Sequence, residues 1–444
     1  MQVMKRIFWC CLLLLSVLWW LAEQPSGSSL ESFFGFRALW MQYSGVLGIG
    51  VMSLAMLLAV RPVLLEPEIG GLDKMYRLHK WLGITGLALS LSHWLMAKVP
   101  KWLVGWGWLE RPVRAPRPEL PADSLQQLLV NQRHLAETIG EWAFYAALVL
   151  MVLALAKRFP YRWFFKTHRL LAVAYLALVW HSLVLMKFDY WSSGLGPIML
   201  VLMGAGSGAA VLVLTRRVAI SRQVVGHVND LAHFETLNTL ALEIQLEGRW
   251  AGHEAGQFAF LTLHPDEGAH PFTITSAWIG DGQIRFMIKA LGDYTRTLAD
   301  RVRVGDPVKV EGPYGCFNFQ GAARRQIWVG GGIGITPFIA RMQALTQTPD
   351  GKAIDLFHTT ATYDATAIER LRHKAEAADV RLHVLWDACD GQLDAKRITR
   401  LVPDWREADI WFCGPAGFGQ ALKRDLRAMG LPRGRFHQEL FALR

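Results

Sequence analysis

Six long apolar stretches alternate with polar segments over the first half of the chain and predict six membrane-spanning helices. By hydropathy they cover about residues 7–22, 39–60, 77–97, 138–156, 167–187 and 195–215, close to the ~20 residues that an α-helix needs to cross a bilayer. Beyond Arg216 the pattern changes to short alternating runs punctuated by Gly, Asn and Asp, which is typical of strands. We therefore expect a membrane domain followed by a water-soluble one.

The first apolar stretch has two interpretations. MQVMKRIFWCCLLLLSVLWWLA has a basic start and an apolar core, as a signal peptide does. Its core of about 16 residues could instead be a short uncleaved span. We expect an uncleaved anchor, because no small-x-small cleavage site follows it.

Basic residues between the spans predict the orientation of the membrane domain. If the spans simply alternate, one side collects Lys5, Arg6, Arg61, Lys74, Arg77, Lys157, Arg158, Arg162, Lys166, Arg216 and Arg217. Short cytoplasmic loops carry an excess of Lys and Arg, so the N-terminus and everything after Arg216 are predicted to be cytoplasmic. The loop 98–137 would then be external although it is also basic, as longer loops cross with less regard for charge.

Two of the spans each carry a pair of histidines. HKWLGITGLALSLSH runs from His79 to His93, and HRLLAVAYLALVWH runs from His168 to His181. Ionisable residues inside a membrane are functional candidates because their burial there is costly, and imidazole is an axial ligand of haem iron. The pattern predicts two b-type haems held by bis-histidine ligation. Zinc fits less well, since it needs ligands close together around one ion.

The predicted topology decides how these histidines pair. The third and fifth spans run in the same direction, so His79 pairs with His168 and His93 with His181, at two levels about 20 Å apart. Fourteen residues at roughly 100° each return to nearly the same helix face, but thirteen leave His181 about 140° away. Either the fifth span contains a bend or π-bulge, or one ligand is wrongly assigned.

Composition and charge narrow the class of protein. The chain has 444 residues, of which 52% are apolar, and a net charge of +10. No block of Lys and Arg interleaved with aromatic residues indicates a nucleic-acid surface, so we expect contact with membrane lipid, no nucleic acid and no obligate protein partner. The five cysteines lack CxxC spacing, which indicates neither a disulfide framework nor a zinc site.

The soluble half begins with strands that predict a small antiparallel barrel. It contains GQFAFL (256–261), HPFTITS (270–276), IRFMIK (284–289) and EGPYG (311–315). GDYT (292–295) opens a helix, where free backbone N–H groups can bind an anion.

After Gln326 strands alternate with helices. The strand Ile327–Val329 leads into GGGIGITPF (330–338), and the strand Asp409–Phe412 leads into Cys413-Gly414-Pro415. Glycines let a pyrophosphate approach the backbone, and Pro337 suits a first helical turn. Successive strand ends with Gly/Pro turns form the nucleotide crevice of an open α/β sheet.

In this order, and after a four-histidine membrane domain, HPFTITS, GDYT, GPYG, GGGIGITPF and CGP resemble the ferric reductase/NADPH oxidase superfamily. Single-chain bacterial NADPH-oxidase-like proteins look nearest in layout. The resemblance implies a six-span di-haem domain over 1–217, an FAD-binding antiparallel β-barrel over 218–322 and a ferredoxin reductase-like α/β domain that binds NAD(P) over 323–444. It also implies a multi-pass protein of the bacterial inner membrane with a cytoplasmic C-terminal domain.

The resemblance further implies roles for individual residues. Three of them, Thr273 near the flavin N5, Cys413 beside the nicotinamide and Phe441 against the isoalloxazine, would contact the reacting rings. The flavin would be held by His270, Pro271, Phe272, Thr273 and Thr275 at its ring and by Lys289, Gly292 and Thr295 at its ribityl-pyrophosphate. The NAD(P)H pyrophosphate would lie on Gly330, Gly331, Gly332, Gly334, Thr336 and Pro337, with Cys413, Gly414 and Pro415 bordering the nicotinamide.

We therefore expect electrons to pass from cytoplasmic NADPH or NADH through FAD and two haems to an external one-electron acceptor. Dioxygen, ferric or cupric chelates, a quinone and a periplasmic partner all remain open as that acceptor. The coenzyme is also open, because the segment 358–362 lacks the arginine that favours a 2′-phosphate. Two alternatives are a transporter with a regulatory nucleotide-binding domain, whose histidines relay protons, and a haem-free membrane-anchored flavin reductase.

Overall fold

The computed structural model describes residues 2–25, 32–110, 121, 124–156 and 158–439. Lys157 and Phe441, which the sequence singled out, lie outside the described residues. The chain divides into two compact units. One contains Met1–Leu65 and Lys74–Val218, and the other contains Glu66–Asp73 and Ala219–Arg444.

Long apolar helices build the first unit. They are α1 (Gln2–Glu23), α2 (Phe33–Ala59), α3 (Leu72–Gly105), α4 (Leu125–Leu155), α5 (Tyr161–His168), α6 (Leu171–Leu185) and α7 (Leu195–Leu214). They provide six segments long and apolar enough to cross a membrane, since α5 and α6 together form one of them. This confirms the six predicted spans, and the chain is a multi-pass membrane protein. Within the unit α4 packs along α6, and α2 packs along α7.

The segment between the third and fourth spans is more helical than expected. A loop was expected over 98–137, but α3 continues to Gly105 and α4 already begins at Leu125. Ser124 caps α4 by accepting a hydrogen bond from Gln127 N at 3.2 Å. The following residues, LQQLLVNQRHLAE, are mostly strong helix formers. Hydropathy did not predict a helix in this segment because about half of its residues are polar.

The fifth span is interrupted immediately after His168. Leu170 N donates to Thr167 O at 2.9 Å, and Val173 N donates to Leu170 O at 3.0 Å. Such i→i+3 bonds form a 3₁₀ turn, which advances about 120° per residue instead of about 100°. The thirteen-residue spacing required a helix irregularity between His168 and His181. The structure contains one there, which is a 3₁₀ turn and not a π-bulge.

An antiparallel sheet begins the second unit. Its strands are β1 (Gln223–Phe234), β2 (Thr239–Leu246), β3 (Phe258–Thr262), β4 (His270–Thr273), β5 (Gln283–Lys289) and β6 (Pro307–Tyr314), with helix α8 (Asp293–Arg301) after β5. The strand order is β4-β3-β6-β1-β2-β5. The sheet curls until its two ends meet, since Ile274 pairs with Phe286 and Thr275 N donates to Arg285 O at 2.8 Å. Alternating residues such as Ile284, Phe286 and Ile288 fill its interior.

A parallel sheet completes the second unit. Its strands are β7 (Arg325–Gly331), β8 (Ala353–Thr360), β9 (Val380–Trp386), β10 (Asp409–Cys413) and β11 (Phe436–Gln438), and its main helices are α9 (Thr336–Gln347), α10 (Ala365–Ala377), α11 (Ala395–Leu401) and α12 (Ala416–Ala428). The strand order is β11-β10-β7-β8-β9. Its central strands are buried along nearly their whole length because helices cover both faces. The expected fold class, a six-span bundle followed by antiparallel and α/β parts, is confirmed.

Candidate functional site

The structure brings the four intramembrane histidines together in the two predicted pairs. The ring centres of His79 and His168 are 6.0 Å apart, and those of His93 and His181 are 6.3 Å apart. A metal–imidazole nitrogen bond is about 2.0 Å long, so two rings on opposite sides of one metal have centres about 6 Å apart. No group of three or more His, Cys, Asp or Glu that could hold a metal occurs among the described residues. Each pair thus suits a metal whose other ligands come from a porphyrin.

Hydrogen bonds orient three of these rings. The Nδ1 atoms of His79 and His181 lie 2.9 Å and 2.8 Å from the carbonyl oxygens of Ala55 and Ala136. Because a carbonyl only accepts, Nδ1 carries the proton and Nε2 keeps its lone pair for a metal. His93 Nδ1 lies 3.0 Å from the Ser44 hydroxyl. Ser44 and the two carbonyls gave no signal in the sequence.

A cavity adjoins the His93–His181 pair. Its volume is about 840 Å³, and its lining includes Ser44, Gly45, His93, Gly140 and His181. This volume is within the usual range for small-ligand sites. Gly140 is required there, because a Cβ atom at this position would overlap the His181 ring. The histidines, their hydrogen bonds and the adjoining space fit a b-type haem.

Charged side chains line part of the cavity, among many apolar residues. Three ion pairs border it: Lys98–Glu141 at 2.6 Å, Arg133–Glu137 at 3.0 Å and Lys187–Glu23 at 3.0 Å. Arg37 and Lys101 add two more cations to the lining, and Arg37 Nε donates to Met96 O at 2.8 Å. This excess of positive charge suits an anionic ligand, such as the carboxylates of a b-type haem.

In the second unit the HPFTITS and GDYT motifs meet. The His270 and Tyr294 rings stack with their centres 4.4 Å apart, and Tyr294 Oη lies 2.9 Å from His264 Nδ1. Thr273, opposite Phe258 in the sheet, is buried, as is Thr275. Sequence reasoning missed Tyr294 and His264, although Tyr294 lies within the GDYT motif.

Burial keeps this stacked pair uncharged. It lowers the pKa of His270 to about 4 and raises the pKa of Tyr294 to about 12. At neutral pH His270 is therefore uncharged, and its ring presents an aromatic surface without a positive charge.

The GDYT turn is held by its own threonine. Thr295 Oγ1 accepts hydrogen bonds from Gly292 N at 2.9 Å and from Leu291 N at 3.0 Å. Leu291 N also donates to Lys289 O at 2.9 Å, so the end of β5 belongs to the same turn. The turn presents the start of α8, and helix N-termini attract anions.

The glycine-rich motif and the CGP motif meet at the carboxyl edge of the parallel sheet. Gly330 on β7 and Cys413 on β10 are in register. A Cβ atom at Gly334 would overlap the Cys413 carbonyl oxygen, and one at Gly331 would lie 3.0 Å from Pro415 Cδ. Thr336 and Pro337 begin α9 directly behind this turn. Adjacent strand ends with a glycine turn and a helix N-terminus form a dinucleotide crevice.

A buried carboxylate that sequence reasoning missed lies beside Cys413. Glu439 is buried, and together with the burial of the thiol it raises the pKa of Cys413 well above its usual range. A Cβ atom built on Gly315 would lie 3.5 Å from Glu439 Oε1, so Glu439 lies between the GPYG and CGP motifs. Phe441, the aromatic residue expected near the flavin, falls outside the described residues.

Glu66 is a second missed carboxylate, in the short segment Glu66–Asp73 that belongs to the second unit. Its Oε1 accepts hydrogen bonds from Gly315 N at 2.6 Å and from Leu72 N at 3.3 Å. Burial is the main cause that raises its pKa. Its position between two apolar spans gave no indication of contact with the GPYG motif.

Two family models match this chain. The ferric reductase like transmembrane component matches residues 44–179, and an FAD-binding domain matches residues 227–318. A ferric reductase-like transmembrane domain followed by an FAD-binding domain is the combination that characterises the ferric reductase/NADPH oxidase superfamily. The first match includes all the intramembrane histidines except His181, and the second includes the HPFTITS and GDYT motifs.

Curated relatives match only part of this chain. The glycine betaine monooxygenase reductase subunit of Chromohalobacter salexigens is 28% identical over 203 residues, covering 42% of this chain and 55% of the relative. The flavohemoprotein of Pseudomonas putida is 28% identical over 200 residues, covering 42% and 51%. The chain thus spans about half the length of the curated relatives it matches.

Among solved structures, the Amycolatopsis cytochrome P450 reductase GcoB matches with a TM-score of 0.44 and 22% identity, covering 50% of this chain and 70% of that one. The FAD/NAD binding domain of nitric oxide dioxygenase from Vibrio cholerae matches with a TM-score of 0.43 and 20% identity, covering 49% and 97%.

Proposed function

We propose that this protein oxidises a nicotinamide nucleotide on the cytoplasmic side of the membrane and delivers single electrons to an acceptor on the other side. FAD would convert a hydride into single electrons, and two b-type haems would carry them across the bilayer. The acceptor would be dioxygen, giving superoxide, or a ferric or cupric chelate. The basic residues clustered near one set of span ends support a cytoplasmic second unit.

The observation that carries this proposal is the pairing of the histidines. Two imidazole pairs at ligation distance, on helices that cross the membrane, have no role in a flavin reductase that merely uses the membrane as an anchor. A proton relay would not need the rings to face each other across a gap of one metal ion. The hydrogen bonds of His79 and His181 leave Nε2 as the free nitrogen in both, which is the tautomer that a metal requires.

The chain's own residues would position the reactants. The turn Gly330–Gly334 and the start of α9 would bind the pyrophosphate of the nucleotide. Cys413, a neutral thiol beside Glu439, would border the nicotinamide. Thr273 and the His270–Tyr294 pair would hold the flavin. In the membrane unit His79 with His168, and His93 with His181, would hold the haems, and Arg37 would contribute charge near the second pair.

Difference spectroscopy of the purified, FAD-loaded protein tests the proposal. We expect anaerobic NADH or NADPH to produce the Soret shift of a b-type haem, and haem analysis to give two haems per chain. Changing His79 or His93 to Ala should leave about one haem per chain, because each pair forms a separate site. The exposed His233 provides the control, since His233→Ala should keep both. A wild-type protein without a Soret shift would exclude the haem route and favour the flavin reductase.

A further inference from the structure

The parallel sheet determines where each end of a nicotinamide nucleotide lies. Strand β7 is central in the order β9-β8-β7-β10-β11. The chain continues from β7 to β8 and β9 on one side, and later strands β10 and β11 lie on the other side, so the strand order reverses at β7. A dinucleotide binds across such a crevice, with its pyrophosphate on the glycine turn after the first strand and its adenosine ribose against the end of the second. Here those strands are β7 and β8. The residues that follow Thr360 therefore face the 2′ position of that ribose.

This loop is polar and tightly turned. Thr360 Oγ1 donates to Thr362 O at 2.7 Å and accepts from Thr362 N at 3.3 Å. Asp364 Oδ1 caps α10 by accepting from Ala367 N at 2.9 Å. Hydroxyl, carbonyl and carboxylate oxygens thus predominate at the end of β8, and such groups accept a hydrogen bond from a ribose hydroxyl.

Two aromatic residues extend this surface. The rings of Tyr363, after β8, and Trp386, at the end of β9, lie 5.5 Å apart at 36°. Tyr363 is 42% exposed, so its ring remains accessible. A flat aromatic surface next to a ribose site suits stacking by a purine base.

Charge at this edge is negative. No Lys or Arg occurs from His358 to Glu369, whereas Asp364 and Glu369 do. The turn after β9 adds Asp387 and Asp390.

One arginine on each of the adjoining helices α10 and α11 has a partner. Arg397 NH1 donates to Asp390 O at 2.7 Å, and its NH2 lies 3.6 Å from Asp390 Oδ1. The Arg370 guanidinium lies over the Phe234 ring at 5.7 Å. A phosphate monoester carries about −1.5 to −2 charges at neutral pH, so a 2′-phosphate at this loop would lie near the Asp364 carboxylate, in a segment (358–369) that contains no Lys or Arg.

We propose that this crevice selects NADH over NADPH, and that the loop 359–364 is the segment that rejects the 2′-phosphate. The proposal rests on the proposed function, because it names the coenzyme of that same site. The loop accepts hydrogen bonds from the 2′-hydroxyl and repels a phosphate in the same place.

Anaerobic stopped-flow reduction of the FAD-loaded full chain tests this selectivity. We expect flavin bleaching to be at least ~30-fold more efficient, as rate constant over dissociation constant, with NADH than with NADPH. Equal or better bleaching with NADPH would overturn the proposal and leave the proposed function intact.

Equilibrium titration with ADP-ribose and its 2′-phosphate gives a readout that needs no hydride transfer. Tighter binding of ADP-ribose supports the selectivity even if neither coenzyme bleaches the flavin, an outcome that would refute only the proposed function. Equal binding of the two ligands, or binding of neither, overturns the selectivity.

A gain of positive charge provides the second test. Ala361→Arg places a guanidinium in the exposed loop, and we expect it to raise the efficiency with NADPH relative to NADH at least ~10-fold. The matched control is Ala377→Arg, an exposed alanine at the opposite end of α10, which should leave the ratio unchanged. An unchanged ratio in Ala361→Arg, or an equal rise in both variants, would contradict the assignment of the loop.

Discussion

At the residue scale, one glycine shows how closely the membrane unit is fitted around its histidines. Gly140 on α4 lies against the His181 ring, and any side chain there would occupy the space of the ring. His181 Nδ1 is held by Ala136 O, one helical turn earlier on the same helix. Helix α4 therefore fixes both the position and the tautomer of this histidine.

Gly140→Ala should displace the His181 ring and weaken the second histidine pair. Because the His79–His168 pair lies elsewhere, we expect about half of the bound haem to be lost and one component of the redox titration to disappear. Haem content per chain and spectroelectrochemical titration measure this.

The control is Gly204→Ala on α7, where a Cβ atom would meet nothing within 4 Å. Full haem content and unchanged potentials in Gly140→Ala would show that His181 is not a ligand.

Single residues attract attention in a sequence where their chemistry is unusual for their surroundings. Histidines in apolar spans are conspicuous, and the structure brings these four into two pairs. Glu66 and Glu439 were missed, because a carboxylate in a polar or terminal segment looks like ordinary surface charge. Only the contacts with Gly315 and Cys413 distinguish them.

At the element scale, the turns that follow strands β7 and β10 form the candidate nucleotide site of the second unit. The glycine turn after β7 fits against the first residues beyond β10 because neither Gly331 nor Gly334 carries a side chain. This close approach forms the floor of the crevice that would bind the nucleotide.

Gly334→Ala should open this floor, since its methyl group would overlap the carbonyl of Cys413. We expect the affinity for the nicotinamide nucleotide to fall about tenfold, or ~1.4 kcal/mol, with FAD content unchanged. Titration of the nucleotide against flavin bleaching measures this.

Gly417→Ala on α12, where a Cβ atom would be in open space, is the matched control and should bind as the wild type does. If Gly334→Ala bound the nucleotide normally, the crevice would lie elsewhere.

Helices and strands were predictable wherever hydrophobic periodicity was strong. The six spans and the β7 and β10 strands were located, whereas the first turns of α4 were taken for a loop. The break after His168 was required by the thirteen-residue spacing, but its 3₁₀ form depends on backbone hydrogen bonds that residue patterns do not specify.

At the scale of the whole molecule, one chain combines a membrane unit with histidine pairs and a reductase-like unit. The proposed electron path requires both units. A reductase unit alone would serve acceptors on its own side of the membrane. In the proposed function, a membrane unit with two histidine pairs would carry electrons to acceptors on the other side.

Vesicles with ferricyanide trapped inside and the reductase unit outside test whether the membrane unit carries electrons across the bilayer. With NADH added outside, we expect His93→Ala to reduce the trapped ferricyanide at least ~10-fold more slowly than wild type, since the second haem site is lost. Anaerobic flavin bleaching by NADH should stay within about twofold of wild type, because His93 is remote in sequence from the flavin motifs.

His233→Ala, on the exposed side of β1, is the matched control and should reduce the trapped acceptor normally. Undiminished reduction by His93→Ala would favour a flavin reductase that does not use the histidine pairs.

The sequence by itself determined the six spans, the membership of the histidines in two of them and the order of the nucleotide-binding motifs. These features are local, because hydropathy, periodicity and turn chemistry act over a few residues. The tertiary structure alone decided that His181 turns towards His93, that Glu439 lies beside Cys413 and that Arg397 on α11 is bound to Asp390 in the turn after β9. Such relations join residues distant in the chain, and they depend on how helices and strands pack.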